Sequence, residues 1–120
     1  MGIDASMLIQ QATTLVFNVP KVHSRNPAAV HDFLDTHPEI PLFIAKAWPV
    51  LVSHFGDKIE IVLEVIEYPY RNSQPELVAW IHAPGQVNEI VDQLEVFTDG
   101  WFTEHMDEIP STFNFNVEFQ

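Results

Sequence analysis

Three stretches of this chain alternate in polarity with a period of two residues, and that alternation limits its fold more than any other feature. In residues 59–66, Ile59, Ile61, Leu63 and Val65 take one side while Glu60, Val62, Glu64 and Ile66 take the other. In residues 76–82, Leu77, Ala79 and Ile81 oppose Val78, Trp80 and His82; in residues 113–119, Phe113, Phe115, Val117 and Phe119 oppose Asn114, Asn116 and Glu118. Each reads as a strand with one face on a core, because successive side chains of a strand point to opposite sides. Trp80 and the aromatic residues of 113–119 are expected in that core. Residues 68–75, with Pro69, Asn72, Ser73 and Pro75, read as the hairpin connection between the first two strands.

The period changes to helical between these segments. Asn26 before Pro27 marks a helix start, since an asparagine side chain can accept from an orphan N–H and proline at the first helical position loses nothing. Val30, Phe33 and Leu34 then share a face. Thr36 and Glu39 have capping-box spacing, which predicts a second start there, followed by Phe43, Ile44, Ala47, Val50, Leu51 and His54 on one stripe. Pro49 is expected to interrupt or kink this helix, and Phe55 and Gly56 to close it. After Pro84 and Gly85, the residues Val87, Ile90, Val91, Leu94 and Phe97 form an amphipathic stripe, with Glu89, Asp92, Gln93 and Glu95 mostly outward. Gly100 marks the end of that helix or a break before Trp101.

Residues 4–14 read as a short helix and residues 13–19 as a strand, being β-branched and aromatic. The resulting order is strand, helix pair, strand, strand, helix, strand. That is the split βαβ pattern of a ferredoxin-like two-layer sandwich, so the expected class is α+β, with helices on one face of an antiparallel sheet. If residues 13–19 are helical, the sheet shrinks to three strands.

A resemblance rests on His37-Pro38-Glu39, His54-Phe55-Gly56-Asp57, the run from Glu60 to Glu64, Tyr68-Pro69, the run from Leu77 to Ile81, and Leu94 through Phe97-Thr98-Asp99-Gly100-Trp101-Phe102 into the final strand. Across residues 37–119 the chain resembles a set of small uncharacterised bacterial proteins. These have a helix-strand-hairpin-helix-strand core and an acidic-aromatic F-D-x-x-W-W turn after the last helix. Thr98 and Phe102 depart from that turn. The resemblance implies the order of elements and no activity.

Charge is the other strong feature. No lysine or arginine follows Arg71, whereas Glu76, Glu89, Asp92, Glu95, Asp99, Glu104, Asp107, Glu108 and Glu118 do, and residues 57–120 carry net −11 of the chain's −12. Such a field repels phosphate backbones and anionic lipid and speeds encounter with cationic partners, so neither nucleic acid nor membrane is expected as a partner. At 120 residues and 47% apolar, the chain is expected to fold as one domain rather than remain an acidic disordered tail. The absence of cysteine excludes disulfides, thiolate metal sites and cysteine catalysis. Residues 1–11 lack the basic flank and apolar run of a signal peptide, and no apolar stretch approaches the ~18 residues of a membrane span. A cytoplasmic setting is expected.

Residues that bear on chemistry are few. His31 with Asp35, and Glu104 with Glu108 beside His105, have one-turn spacing that can place two metal ligands on a helix face, but no H-x-H, H-E-x-x-H or D-x-D loop accompanies them. No metal and no cofactor is therefore expected. His54 suits a helix C-terminus. No serine sits in a glycine elbow and no glycine-rich loop can cradle phosphate, so no catalytic residue is assigned. Glu60 and Glu64 share one strand face and can serve as acid and base, although a solvated face is the plainer reading. Trp101 and Phe102 are adjacent, so a regular element cannot bury both in one core, and one of them is expected at an edge or partly exposed. Two functional expectations follow. The preferred one is a non-catalytic interaction or regulatory module of inhibitor or antitoxin type, binding a basic protein partner through Glu89, Asp92, Glu95, Asp99, Trp101 and Phe102. The alternative is a small-molecule-binding domain or enzyme that uses His82 or His105 with a nearby carboxylate. Homodimerisation through a sheet edge is compatible with both.

Overall fold

The computed structural model describes residues 21–69 and 74–119. The elements are strand β1 (Val22–Ser24), helices α1 (Pro27–Thr36) and α2 (Glu39–Phe55), strands β2 (Glu60–Ile66) and β3 (Glu76–His82), helix α3 (Val87–Phe97), a π-helical turn (Thr98–Phe102), a short helix α4 (Thr103–His105), a 3₁₀ turn (Met106–Glu108) and strand β4 (Phe113–Val117). The helix and strand expected in residues 4–14 and 13–19, and the hairpin residues Tyr70, Asn72 and Ser73, lie outside the described residues.

Four strands form one sheet in the order β1-β2-β3-β4, with β1 parallel to β2, β2 antiparallel to β3, and β3 parallel to β4. This corrects the expected ferredoxin-like antiparallel sheet. In the split pattern another strand separates the two strands joined through a helix, so that all neighbours run antiparallel. Here each crossover is unsplit: α1 and α2 return the chain directly beside β1, and α3 returns it directly beside β3. A connection that runs back through the helical layer returns the chain to the end of the sheet where the first strand began, so those neighbours are parallel. Element order alone is compatible with both arrangements, which is why the sequence does not separate them.

Alternation was a sound guide to the core. Ile61, Leu63, Leu77, Ala79, Ile81, Phe113 and Phe115 are buried and pack as one cluster with Val30 and Leu34 of α1, with Ile40, Phe43, Ile44, Ala47 and Leu51 of α2, and with Phe97 of α3. The helices thus cover a single face of the sheet. Two residues expected in the core lie elsewhere: Trp80 is half-buried on the opposite face and Phe119 is 47% exposed. α2 runs without interruption through Pro49. Pro49 and Ala45, whose carbonyl loses its usual donor, are both exposed, so water can supply the missing hydrogen bond.

The strongest aromatic packing sits where α3 leaves the sheet. Phe43 lies 5.2 Å from Trp101 and 6.2 Å from Phe102, and Phe97 lies 5.7 Å from Trp101, 6.3 Å from Phe102 and 5.5 Å from Phe115, as ring centroids. Trp101 and Phe102 therefore both pack against one core, while each keeps the partial exposure expected of one of them. The π turn makes this feasible. An α-helix turns about 100° per residue, so Phe102, five residues after Phe97, would point well away from it. The Thr103 N–H instead bonds the Thr98 carbonyl five residues back, and the wider turn rotates Phe102 toward Phe97.

Two expected helix caps are absent. Thr36 is the last residue of α1 and its hydroxyl donates to the Asp32 carbonyl at 2.9 Å, so no capping box forms with Glu39. Asn26 precedes α1 without capping it. Its carboxamide bonds the edge of β2 instead, Nδ2 donating to the Val65 carbonyl at 2.9 Å and Oδ1 accepting from the Val65 N–H at 3.1 Å. The ladder explains why. Ile61 N–H donates to the Lys21 carbonyl and Arg25 N–H donates to the Leu63 carbonyl, so the next donor toward Val65 would be residue 27, a proline with no N–H. Asn26 lends a side-chain amide where the main chain cannot continue the pairing.

Asn26→Ala strips both partners from the half-buried Val65 peptide groups and is expected to cost about 1–3 kcal/mol in chemical unfolding, with Asn26→Asp also destabilised through loss of the donor. Phe97→Ala, which empties the centre of the aromatic cluster, is expected to cost about 3–5 kcal/mol in the same measurement.

Candidate functional site

Because the helices cover one face, the other face of the sheet is where the strands present polar side chains. The register sets Glu60 opposite His82, Val62 opposite Trp80 and Trp80 beside Asn116. Trp80 Nε1 donates to Glu64 Oε1 at 2.9 Å, and the same oxygen accepts from Arg25 Nη1 at 3.3 Å. Arg25 also grips Glu118 with both ends of its guanidinium, Nη1 to Oε2 at 2.8 Å and Nη2 to Oε1. Glu118 Oε1 is in turn 2.8 Å from His82 Nε2. One chain of charged and polar groups thus runs from Glu64 on β2 through Arg25, just past β1, to Glu118, just past β4, and His82 at the end of β3. A forked guanidinium–carboxylate contact is among the stronger ionic hydrogen bonds, and this one ties the two outer strands of the sheet together.

The electrostatics follow from that geometry. Hydrogen bonding from Arg25 leads in drawing the Glu118 carboxyl down from its ordinary 4.5 to about 2, with burial opposing and His82 adding to the lowering. A carboxylate held this way stays ionised at neutral pH. It can orient His82 but is a poor proton donor or acceptor, so any acid–base work here falls to the imidazole. The Glu60/Glu64 pair is not set up as acid and base either: Oε1 of Glu64 is engaged by Trp80 and Arg25, and Glu60 lies 4.0 Å from His23. His82 and Glu118, with Lys58, Glu60 and Gly85, line a cleft of about 520 Å³ between the end of β3 and the start of α3.

The residues singled out for partner binding divide into two groups. Glu89, Asp92, Glu95 and Asp99 are exposed along α3 and the π turn, and none of them takes part in the ion pairs among the described residues. Beside them Val87, Val91 and Val96 are 56%, 36% and 55% exposed, because α3 buries only Ile90 and Phe97. Trp101 and Phe102, on the π turn, are partly buried against the core and keep part of their surface exposed. His105 stacks on Trp101 at 4.3 Å and its Nδ1 lies 2.7 Å from the Trp101 carbonyl, on the helical side of the sheet from His82. Glu108 pairs with Lys46 at 2.9 Å, and His54, in the last turn of α2, lies 3.3 Å from Gln93 Oε1 on α3. Among the described residues no group of three or more His, Asp or Glu side chains is arranged to hold a metal, and no helix is long and apolar enough to cross a membrane.

Sequence reasoning missed the Arg25 network. Its members were separately visible, but Arg25 and Glu118 are 93 positions apart and only the unsplit topology brings them together. The folded Glu118 carboxyl titrates below its ordinary value, so the stability it supplies is present in full above about pH 4.5 and lost as the pH falls toward 2. Glu118→Gln is therefore expected to be less stable than the parent at neutral pH, by up to about 1 kcal/mol for a partly exposed pair, with the difference vanishing near pH 2. Urea unfolding of both proteins across that range measures it.

No protein-family model, curated protein or solved structure matches the chain, so a functional reading has to come from its own surfaces.

Proposed function

We propose that the protein is a non-catalytic interaction module, of inhibitor or antitoxin type, that binds a basic protein surface through the outer face of α3. The observation that carries this reading is the set of exposed carboxylates of Glu89, Asp92, Glu95 and Asp99, which make no ion pair among the described residues, interleaved with the exposed Val87, Val91 and Val96. Four exposed acids make the local potential negative and speed encounter with a cationic partner, while three valines offer apolar area that can be desolvated on contact. The other side of the molecule contrasts with this, since Glu64 and Glu118 are already satisfied by Arg25. A cytoplasmic setting is part of the proposal.

Affinity capture from native cells at low and high salt is the direct test. A stoichiometric basic partner released by salt is expected, and the triple variant Asp92→Lys, Glu95→Lys, Asp99→Lys should slow its association at low ionic strength by about 10-fold or more. Unchanged association of that variant with the same partner would refute the docking face.

A second reading is favoured by one observation, the 2.8 Å contact between His82 and Glu118 in the 520 Å³ cleft. An imidazole oriented by a carboxylate in a concave site suits small-molecule binding. Ligand-observed NMR with a fragment library should then give hits that His82→Gln abolishes; a library without hits removes this reading.

A further inference from the structure

β4 is the last strand of the sheet among the described residues, and its outer side should present free backbone donors. The ladder phase says which ones. Leu77 N–H donates to the Thr112 carbonyl and Glu118 N–H donates to the Ile81 carbonyl, so the even-numbered residues of β4 pair with β3 and the N–H groups of Phe113, Phe115 and Val117 point away from the sheet. All three are nonetheless occupied. Phe113 N–H donates to the Pro110 carbonyl at 3.1 Å, Phe115 N–H to Asn114 Oδ1 at 2.9 Å, and Val117 N–H to Asn116 Oδ1 at 2.8 Å.

We infer that Asn114 and Asn116 are edge seals: each carboxamide occupies the outward donor of the following residue, so that neither a second copy of this chain nor an extended segment of a partner adds to the sheet along β4. The strand needs such a device. Among the described residues Phe113–Val117 is an edge strand with Phe113 and Phe115 in the core, and an exposed edge of this kind templates strand addition. The common protection, a lysine on the edge, is missing, since no lysine or arginine follows Arg71. Asparagine is depleted in strands, so its appearance at two alternate positions of one strand breaks a local preference that the sealing role accounts for. Asn26 uses the same chemistry at the other side of the sheet, where its carboxamide pairs with both Val65 peptide groups beyond the end of β1. The inference bears on self-association: a dimer built on the β4 edge requires both carboxamides to turn away first.

The test compares Asn114→Ala, Asn116→Ala with Asn114→Asp, Asn116→Asp in the full chain, because aspartate keeps an acceptor oxygen in place and alanine removes it. Sedimentation equilibrium reads mass against concentration, and amide hydrogen exchange reads Phe115 and Val117. The parent and the aspartate variant are expected to share one oligomeric state. The alanine variant is expected to associate further as concentration rises, up to twice the parent mass, with the Phe115 and Val117 amides exchanging at least about 10-fold more slowly in the associated form than in the dilute form. An alanine variant that keeps the parent mass throughout overturns the inference, as does association that leaves those two amides unprotected. A parent already paired along β4 overturns it as well. Should the double alanine variant fail to fold, Asn116→Ala alone, read at Val117, is judged by the same outcomes.

Discussion

The packing of Phe43, Phe97, Trp101, Phe102, Phe113 and Phe115 is the constraint on which the rest of this structure depends. These rings join α2, the end of α3, the π turn and β4. Aromatic pairs at such separations contribute through both buried area and edge-to-face geometry. The π turn exists to serve this cluster: it departs from α-helical geometry so that two adjacent rings reach the same core. Its consequence extends to the surface. With Trp101 and Phe102 packed against the core, the exposed side of α3 carries Val87, Val91 and Val96 with Asn88 and the acids Glu89, Asp92 and Glu95.

The two sides of the sheet use charge in opposite ways. On the face away from the helices, one arginine satisfies two glutamates and holds the outer strands to each other, so ionic groups there act as structure. Along α3 the carboxylates make no ion pair among the described residues, so their mutual repulsion is screened by solvent, salt or a basic partner. This contrast, rather than net charge as such, separates acids that hold the fold from acids available for recognition. Backbone polarity is managed with the same economy. Asn26, Asn114 and Asn116 place side-chain amides where the main chain runs out of partners, in one case because proline cannot donate and in the other two because the sheet ends.

Much of the fold was legible. The alternation of Ile61 and Leu63, of Leu77, Ala79 and Ile81, and of Phe113 and Phe115 is a local pattern with a local cause, so it identified both the strands and their buried faces. The same holds for the start of α1 at Pro27 and for the stripe of α2, with Phe43, Ile44, Ala47 and Leu51 buried. Other features were not legible, each for a physical reason. β1 is only three residues long, too short to show a period. The capping box at Thr36 lost to a hydrogen bond back to Asp32, because α1 runs on through Thr36. Of the candidate site, the exposed acids of α3 followed from helical periodicity, whereas the packing of both Trp101 and Phe102 against one core required the π turn.

What the sequence determined by itself is where the longer strands and helices lie and which face of each is apolar, since both depend on neighbours a few residues apart, and that the stretch after Arg71 is one-signed. What only the tertiary structure decided is how the strands are ordered, and with it every contact that crosses the sheet. Parallel, unsplit crossovers and a split antiparallel sheet bury the same apolar faces, so the hydrophobic pattern is indifferent between them. The choice brings Arg25 to Glu64 and Glu118, sets His82 beside Glu118, and leaves β4 at an edge that Asn114 and Asn116 close.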